Sequence, residues 1–122
     1  MKNSKTIGCK GEDIVCRYLK KNGFLVCARN YHSRYGEIDI VAQNDKIIVF
    51  VEVKTRASNS ISSPGSFVDF RKQQKIIKTA NYYLLNNPTS LQPRFDVAEV
   101  FTDTPNLFKG AKINYIENAF GV

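Results

Sequence analysis

At 122 residues the chain is long enough for one domain with a single core, spanning residues 1–122, and gives no sign of a second. A content of 43% hydrophobic and 24% charged residues excludes a disordered or fibrous chain and places it among folded globular proteins. Eighteen Lys and Arg against eleven Asp and Glu leave a net charge of +7, which favours a polyanionic partner such as a nucleic acid or an acidic surface.

The first predicted element is a helix over residues 4–22, where Ile7, Gly11, Ile14, Val15, Tyr18 and Leu19 recur at helical spacing and Gly23 supplies the stop. Glu12 lies one position off that stripe and by itself reads as a surface carboxylate. Cys9 and Cys16 fit the helix as small hydrophobes. With Cys27 they make an odd set of three, without CxxC spacing, so neither a disulfide framework nor a zinc site is expected. A reducing cytoplasm suits this usage. No apolar run reaches the length of a membrane span, and no signal-peptide core follows the basic start.

Residues 24–30 (FLVCARN) have strand character, and residues 31–35 (YHSRY) read as a polar, aromatic connector. His32, the only histidine, sits there and is given no catalytic role. Residues 37–43 and 46–54 then read as two strands joined by a two-residue turn at Asn44 and Asp45, residue types that tolerate positive φ. That turn sets Gln43 opposite Lys46, Asp39 opposite Phe50 and Glu37 opposite Glu52. Strict alternation makes one face of the hairpin wholly apolar: Ile38, Ile40, Ala42, Ile47, Val49, Val51 and Val53. The other face carries Val41, Ile48 and Phe50 near the turn and gathers Glu37, Asp39, Glu52 and Lys54 at its far end.

Two carboxylates about 5 Å apart repel by roughly 3 kcal/mol at an effective dielectric of about 20, so the patch requires an offset. The Lys54 ammonium, a divalent cation and protonation of one acid are the three candidates. Asp39 and Glu52 are oxygen donors of the kind Mg²⁺ prefers.

The Ser-rich stretch that follows, with Pro64 and Gly65, reads as a loop able to close over the charged end of the hairpin. Residues 69–85 form a second predicted helix whose apolar face is Ile76, Ile77, Ala80, Tyr83 and Leu84. Its other face is basic, with Arg71, Lys72, Lys75 and Lys78 at three- and four-residue spacing and no acid after Asp69. Such a row serves equally as a solvated face or as a phosphate contact. Residues 94–101 and 112–117 are two further strands with little visible chemistry. Together the elements indicate an α/β fold in the order α-β-β-β-α-β-β, with the hairpin central and the helices on its apolar face.

Asp39 followed one strand later by Glu52-Val53-Lys54 resembles the D…ExK signature of the PD-(D/E)XK, or restriction-endonuclease-like, nuclease superfamily. More closely, the chain resembles the YraN-like family of predicted endonucleases. That likeness extends over Glu12, Arg29-Asn30, Gly36 to Asp39, Phe50 to Lys54 with Arg56, Lys72-Gln73, Arg94 to Val97 and Asn118 to Phe120. It implies a central mixed sheet of about five strands flanked by helices, and a Mg²⁺ or Mn²⁺ ion held by Asp39, Glu52, the Val53 carbonyl and Glu12. It also implies that Lys54 activates water beside the three acids Asp39, Glu52 and Glu12. Arg56, Lys72, Gln73, Lys75, Arg71 and Lys78 would contact nucleic acid, while Glu37 and Arg29 have no settled part.

The expected function is metal-dependent hydrolysis of DNA phosphodiesters, with branched recombination or repair intermediates as structured substrates and 5′-phosphate ends as products. The alternative is an accessory protein with the nuclease fold that binds nucleic acid without cutting it. A third reading makes the acidic patch an ion-pair network of a protein-interaction domain. Related resolvases work as dimers, so a homodimer is open alongside a monomer.

Overall fold

The computed structural model describes residues 4–57, 68–102 and 111–121. In chain order these form α1 (Ser4–Lys21), β1 (Leu25–Ser33), β2 (Gly36–Gln43), β3 (Ile47–Ala57), α2 (Phe70–Asn86), β4 (Gln92–Thr102) and β5 (Lys112–Phe120), the expected order. The Ser-rich stretch from Ser58 onward and most of the connector before β5 lie outside the described residues.

Both helices end where their sequences say they should. Gly23, at φ 87°, closes α1: its N–H donates to the Lys20 carbonyl at 3.2 Å and that of Phe24 to Leu19 at 2.9 Å. This is a left-handed glycine cap. Asp69 opens α2, its carboxylate accepting from the Lys72 N–H at 2.8 Å.

The five strands make one sheet in the order β1-β2-β3-β4-β5, with β3 and β4 parallel across the α2 connection and every other pair antiparallel. The helices do not share a face, as the hairpin's apolar pattern had suggested. Val15, Cys16 and Leu19 of α1 pack on Ile40, Ala42, Val49, Val51, Ala98 and Val100. Ile76, Ile77, Ala80 and Tyr83 of α2 pack on Ile38, Val41, Ile48, Phe50, Phe95 and Val97 on the opposite side. A central strand with apolar residues at nearly every position, such as 47–51, is built to be covered twice.

Three local features differ from the sequence pattern. The turn between β2 and β3 has four residues: Asn44 Oδ1 accepts from the N–H groups of Lys46 and Ile47, both at 2.8 Å. Gln43 therefore pairs with Ile48, and neither Asn44 nor Asp45 needs positive φ. This slips the register by two from the expected one, leaving every face unchanged.

Secondly, β1 runs to Ser33, so Tyr31 and His32 are strand residues and only Arg34 and Tyr35 connect β1 to β2. Thirdly, alternation breaks at Asn30 and Asp39. Asn30 takes φ 51°, and the pairs on either side are Arg29↔Ile40 and Tyr31↔Ile38. Ile38 faces α2 although Ile40 faces α1, and across the ladder Ala28 and Tyr31 face α2 together. Each strand thus carries one residue beyond its alternation, and the two sit opposite each other.

Strand β4 holds more chemistry than its sequence suggested. Asp96 is fully buried and accepts two bonds from Arg94, both at 2.9 Å, one from the Tyr115 hydroxyl at 2.6 Å and one from the Asn118 N–H at 2.9 Å. Burial and the Asp96 carboxylate push the Tyr115 phenol well above its ordinary pKa. This knot ties β5 to β4 at the end of the strand where Arg94 also lies near Glu117.

Candidate functional site

Regular pairing of β2 with β3 reaches Ile40↔Val51, and one step further the same register brings Asp39 level with Glu52. Asp39, one of the two surplus residues, does not continue the ladder with its backbone. Its carboxylate does so instead, Oδ2 accepting from the Val53 N–H at 2.8 Å. Asp39 is half-buried and Glu52 buried. Burial, then the Glu52 charge and a hydrogen bond with Glu52, push the Asp39 carboxyl up to about 8, the Val53 N–H acting in the opposite direction. Glu12 adds a smaller repulsion. At neutral pH this favours the protonated form of the Asp39 carboxyl.

The offset that the sequence demanded thus comes partly from protonation. The rest comes from an ammonium, but from Lys72 of α2, whose Nζ forms an ion pair with Glu52 Oε2. Desolvation opposes the Lys72 charge, yet the Glu52 hydrogen bond and the fields of Glu52, Asp39 and Glu37 raise its pKa. Lys72, expected to face nucleic acid, instead reaches into the acid pair. Nothing in the sequence marks this contact, which joins residues twenty positions apart through the packing of α2 on β3.

Lys54 shares the Glu52 side of β3 by alternation and lies level with Glu99 of β4. Glu99 is fully buried and takes Arg56 as its partner at 2.8 Å, with Asn114 Nδ2 on its other oxygen at 2.9 Å. Arg56, expected at a phosphate, is thereby held by the protein, while the described residues place no ion-pair partner on Lys54. Glu99 and Asn114 escaped the sequence reading because a buried acid in an apolar strand looks like an alternation error until its partner is known.

Glu12 is buried where α1 passes β1, accepting from Asn30 Nδ2 at 3.2 Å and lying 3.5 Å from Arg29, which also pairs with Asp13 at 2.7 Å. The structure thus gives Arg29 a part as counterion to Glu12. Glu37, on the far side of the break in alternation, is exposed with His32 at 3.5 Å as its ion-pair partner, and its pairing opposite His32 replaces the expected pairing with Glu52. Among the described residues no three His, Cys, Asp or Glu side chains converge on one point. The donor set is therefore two carboxylates, with the Val53 carbonyl directly after Glu52 in sequence; as hard oxygen donors they fit a divalent ion that keeps water in its shell.

On α2, Arg71, Lys75 and Lys78 are exposed, and with Lys72 the first two line an open cavity of about 310 Å³ together with Gly36, Glu37 and Asp69. Gln73 turns inward, its amide donating to the Val68 carbonyl at 2.9 Å, so it braces the start of the helix and does not present itself to a ligand.

The model of the uncharacterised protein family UPF0102 matches residues 11–100. The chain belongs to that family. It is the family that the YraN-like resemblance indicated. A UPF0102 protein of Caldanaerobacter subterraneus subsp. tengcongensis is 45% identical over 119 residues, covering 97% of each chain. One from Clostridium botulinum (strain 657 / Type Ba4) is 41% identical over 121 residues, covering 98% of this chain and 97% of the relative. Among solved structures, Hjc, a Holliday junction resolvase of Archaeoglobus fulgidus, superposes with a TM-score of 0.57 at 18% identity, covering 88% of this chain and 73% of its own. The UPF0102 chain therefore shares the fold of that resolvase, a mixed five-stranded sheet flanked by helices. No helix among the described residues is long and apolar enough to cross a membrane.

Proposed function

We infer that the protein is a divalent-metal-dependent nuclease that hydrolyses DNA phosphodiesters. The observation that carries this reading is the juxtaposition of the Asp39 and Glu52 carboxylates where β2 stops pairing with β3, with Asp39 Oδ2 on the Val53 N–H, beside an ammonium-bearing strand position at Lys54. A likeness of fold to a Holliday junction resolvase supports DNA as the polymer and branched recombination or repair intermediates as the structured class.

Asp39 and Glu52, with the Val53 carbonyl, would hold a Mg²⁺ or Mn²⁺ ion; Glu12, held by Arg29 and Asn30, would act on it at longer range. Bound there, such an ion lowers the pKa of water and neutralises phosphate charge. The chain's own part is to bind and orient. Lys54 positions the attacking water and offsets charge on the phosphorane. Arg71, Lys75 and Lys78 hold the backbone without reading sequence. Arg56 and Glu99 fix the strand on which Lys54 stands.

The test is cleavage of linear, flapped and branched DNA by purified protein in Mg²⁺, Mn²⁺ or EDTA. Metal-dependent cutting with 5′-phosphate ends, reduced about 10²-fold or more in Asp39→Ala and in Lys54→Ala, is the expected result. Cleavage that survives in both variants belongs to a contaminant.

A second reading, a nucleic-acid-binding protein that does not cut, is favoured by one observation: Lys72 already supplies a counter-charge to Glu52. It predicts salt-dependent DNA binding unaffected by Glu52→Gln and no heat on titration with Mn²⁺.

A further inference from the structure

The tip of the β1–β2 hairpin rests on the outward face of α2. Gly36, at φ 156°, marks the approach: a Cβ there would lie 3.4 Å from Lys75 Cβ, in van der Waals contact. Beside it the Tyr35 ring carries two cations, with Arg34 Cζ 5.0 Å and Lys78 Nζ 5.9 Å from its centroid. Tyr35, Lys78, Asn81, Tyr82 and Leu85 line an open cavity of about 360 Å³. Tyr82 is 45% exposed and Leu85 80% exposed, so flat apolar surface stands in solvent there among positive charges. None of the lining residues is an acid.

This cavity and the one beside the acid pair meet at neighbouring residues, Tyr35 lining the first and Gly36 the second. Lys72, Lys75 and Lys78 run between them along two turns of helix, about 9 Å at the usual rise per residue. A row of cations leading from paired carboxylates to open aromatic rings matches a single strand of nucleic acid: phosphates follow the charges, and a base stacks on the rings. A base inside a duplex is already stacked on its neighbours and cannot enter.

We propose that the Tyr35–Tyr82 cavity is a stacking subsite for an unpaired nucleotide of a DNA strand whose phosphates follow Lys78 and Lys75 toward Asp39 and Glu52, where Lys72 is already paired. The inference rests on the reading above for the identity of the polymer, and it makes DNA with a single-stranded segment next to duplex the preferred substrate class.

The test uses full-length protein in EDTA, so that binding is read without cleavage. A short duplex with a single-stranded tail containing 2-aminopurine is compared with the same duplex blunt-ended. The tailed DNA is expected to bind about tenfold tighter, with its fluorescence quenched, and Tyr82→Ala to erase both effects while Tyr82→Phe and Tyr82→Trp keep them. Equal affinity for tailed and blunt DNA overturns the proposal. So does Tyr82→Phe as damaging as Tyr82→Ala, which makes the hydroxyl and not the ring the working group. A dimer in sedimentation that Tyr82→Ala dissociates overturns it too, since a second copy then fills the cavity. A tail preference in a protein that cuts nothing with Mg²⁺ or Mn²⁺ sustains the subsite and sinks the nuclease; cutting without a tail preference does the reverse.

Discussion

The Asp39 carboxyl is strongly perturbed by burial and by Glu52, and the consequences are open to measurement. Its pKa is raised from 3.8 to about 8, so the fold favours the protonated form. The contribution this makes to stability is complete below about pH 4, where the unfolded chain is also protonated, and is lost as pH rises through 8. Asp39→Asn keeps an oxygen for the Val53 N–H and removes the charge. In EDTA the variant should match wild type near pH 4 and exceed it by about 2 kcal/mol or more at pH 8, read from urea unfolding. Lys72→Met acts with the opposite sign, leaving Glu52 without its ion pair. It should lower stability by about 1 kcal/mol in EDTA, the figure being small because Lys72 is half-exposed, and Mn²⁺ should restore it. Asp39, Glu52 and Lys54 were legible as a set because they lie within sixteen residues on adjacent strands. Lys72 was not, because only the packing of α2 decides which lysine of a basic row turns inward.

The position of α1 is set by a close contact. A Cβ on Gly11 would lie 2.5 Å from Thr55 Oγ1, on the residue after Lys54. Gly11→Ala should destabilise by about 1–2 kcal/mol, the gain in helix propensity offsetting part of the clash, and Thr55→Ala on top of it should recover most of that loss. Chemical denaturation of the double-mutant cycle reads the coupling directly. Helices and strands were legible here to within a few residues, since their periods are local. Faces were legible only up to the break: the period of two carries Ile40, Val49 and Val51 correctly and fails at Ile38, where the surplus residue intervenes. An asparagine, among the non-glycine residue types most at ease with positive φ, stood at the break as the sole sign.

As a whole the molecule separates its charges. Asp96 and Glu99 are neutralised inside by Arg94 and Arg56, and the acid pair by Lys72, so the net +7 is expressed by lysines and arginines that remain outside. Binding of duplex DNA should weaken steeply with salt, and Lys75→Ala and Lys78→Ala should each reduce the slope of log K against log salt by about 1 without altering sequence preference, as fluorescence anisotropy across a salt series would show. Composition announced the sign of this surface, but not which cations are spent internally, because ion pairs such as Arg56–Glu99 span forty-three positions.

Asn30 and Asp39 also bear on how the chain tolerates editing. Losing one codon of the pair slips half of the hairpin against the other half, and the sheet must misalign. Losing both together heals the ladder, since each strand gives up its spare residue. What remains is a chain that can still assemble but lacks the carboxylate beside Glu52: the acid exists at that spot only because the strand there is one residue too long.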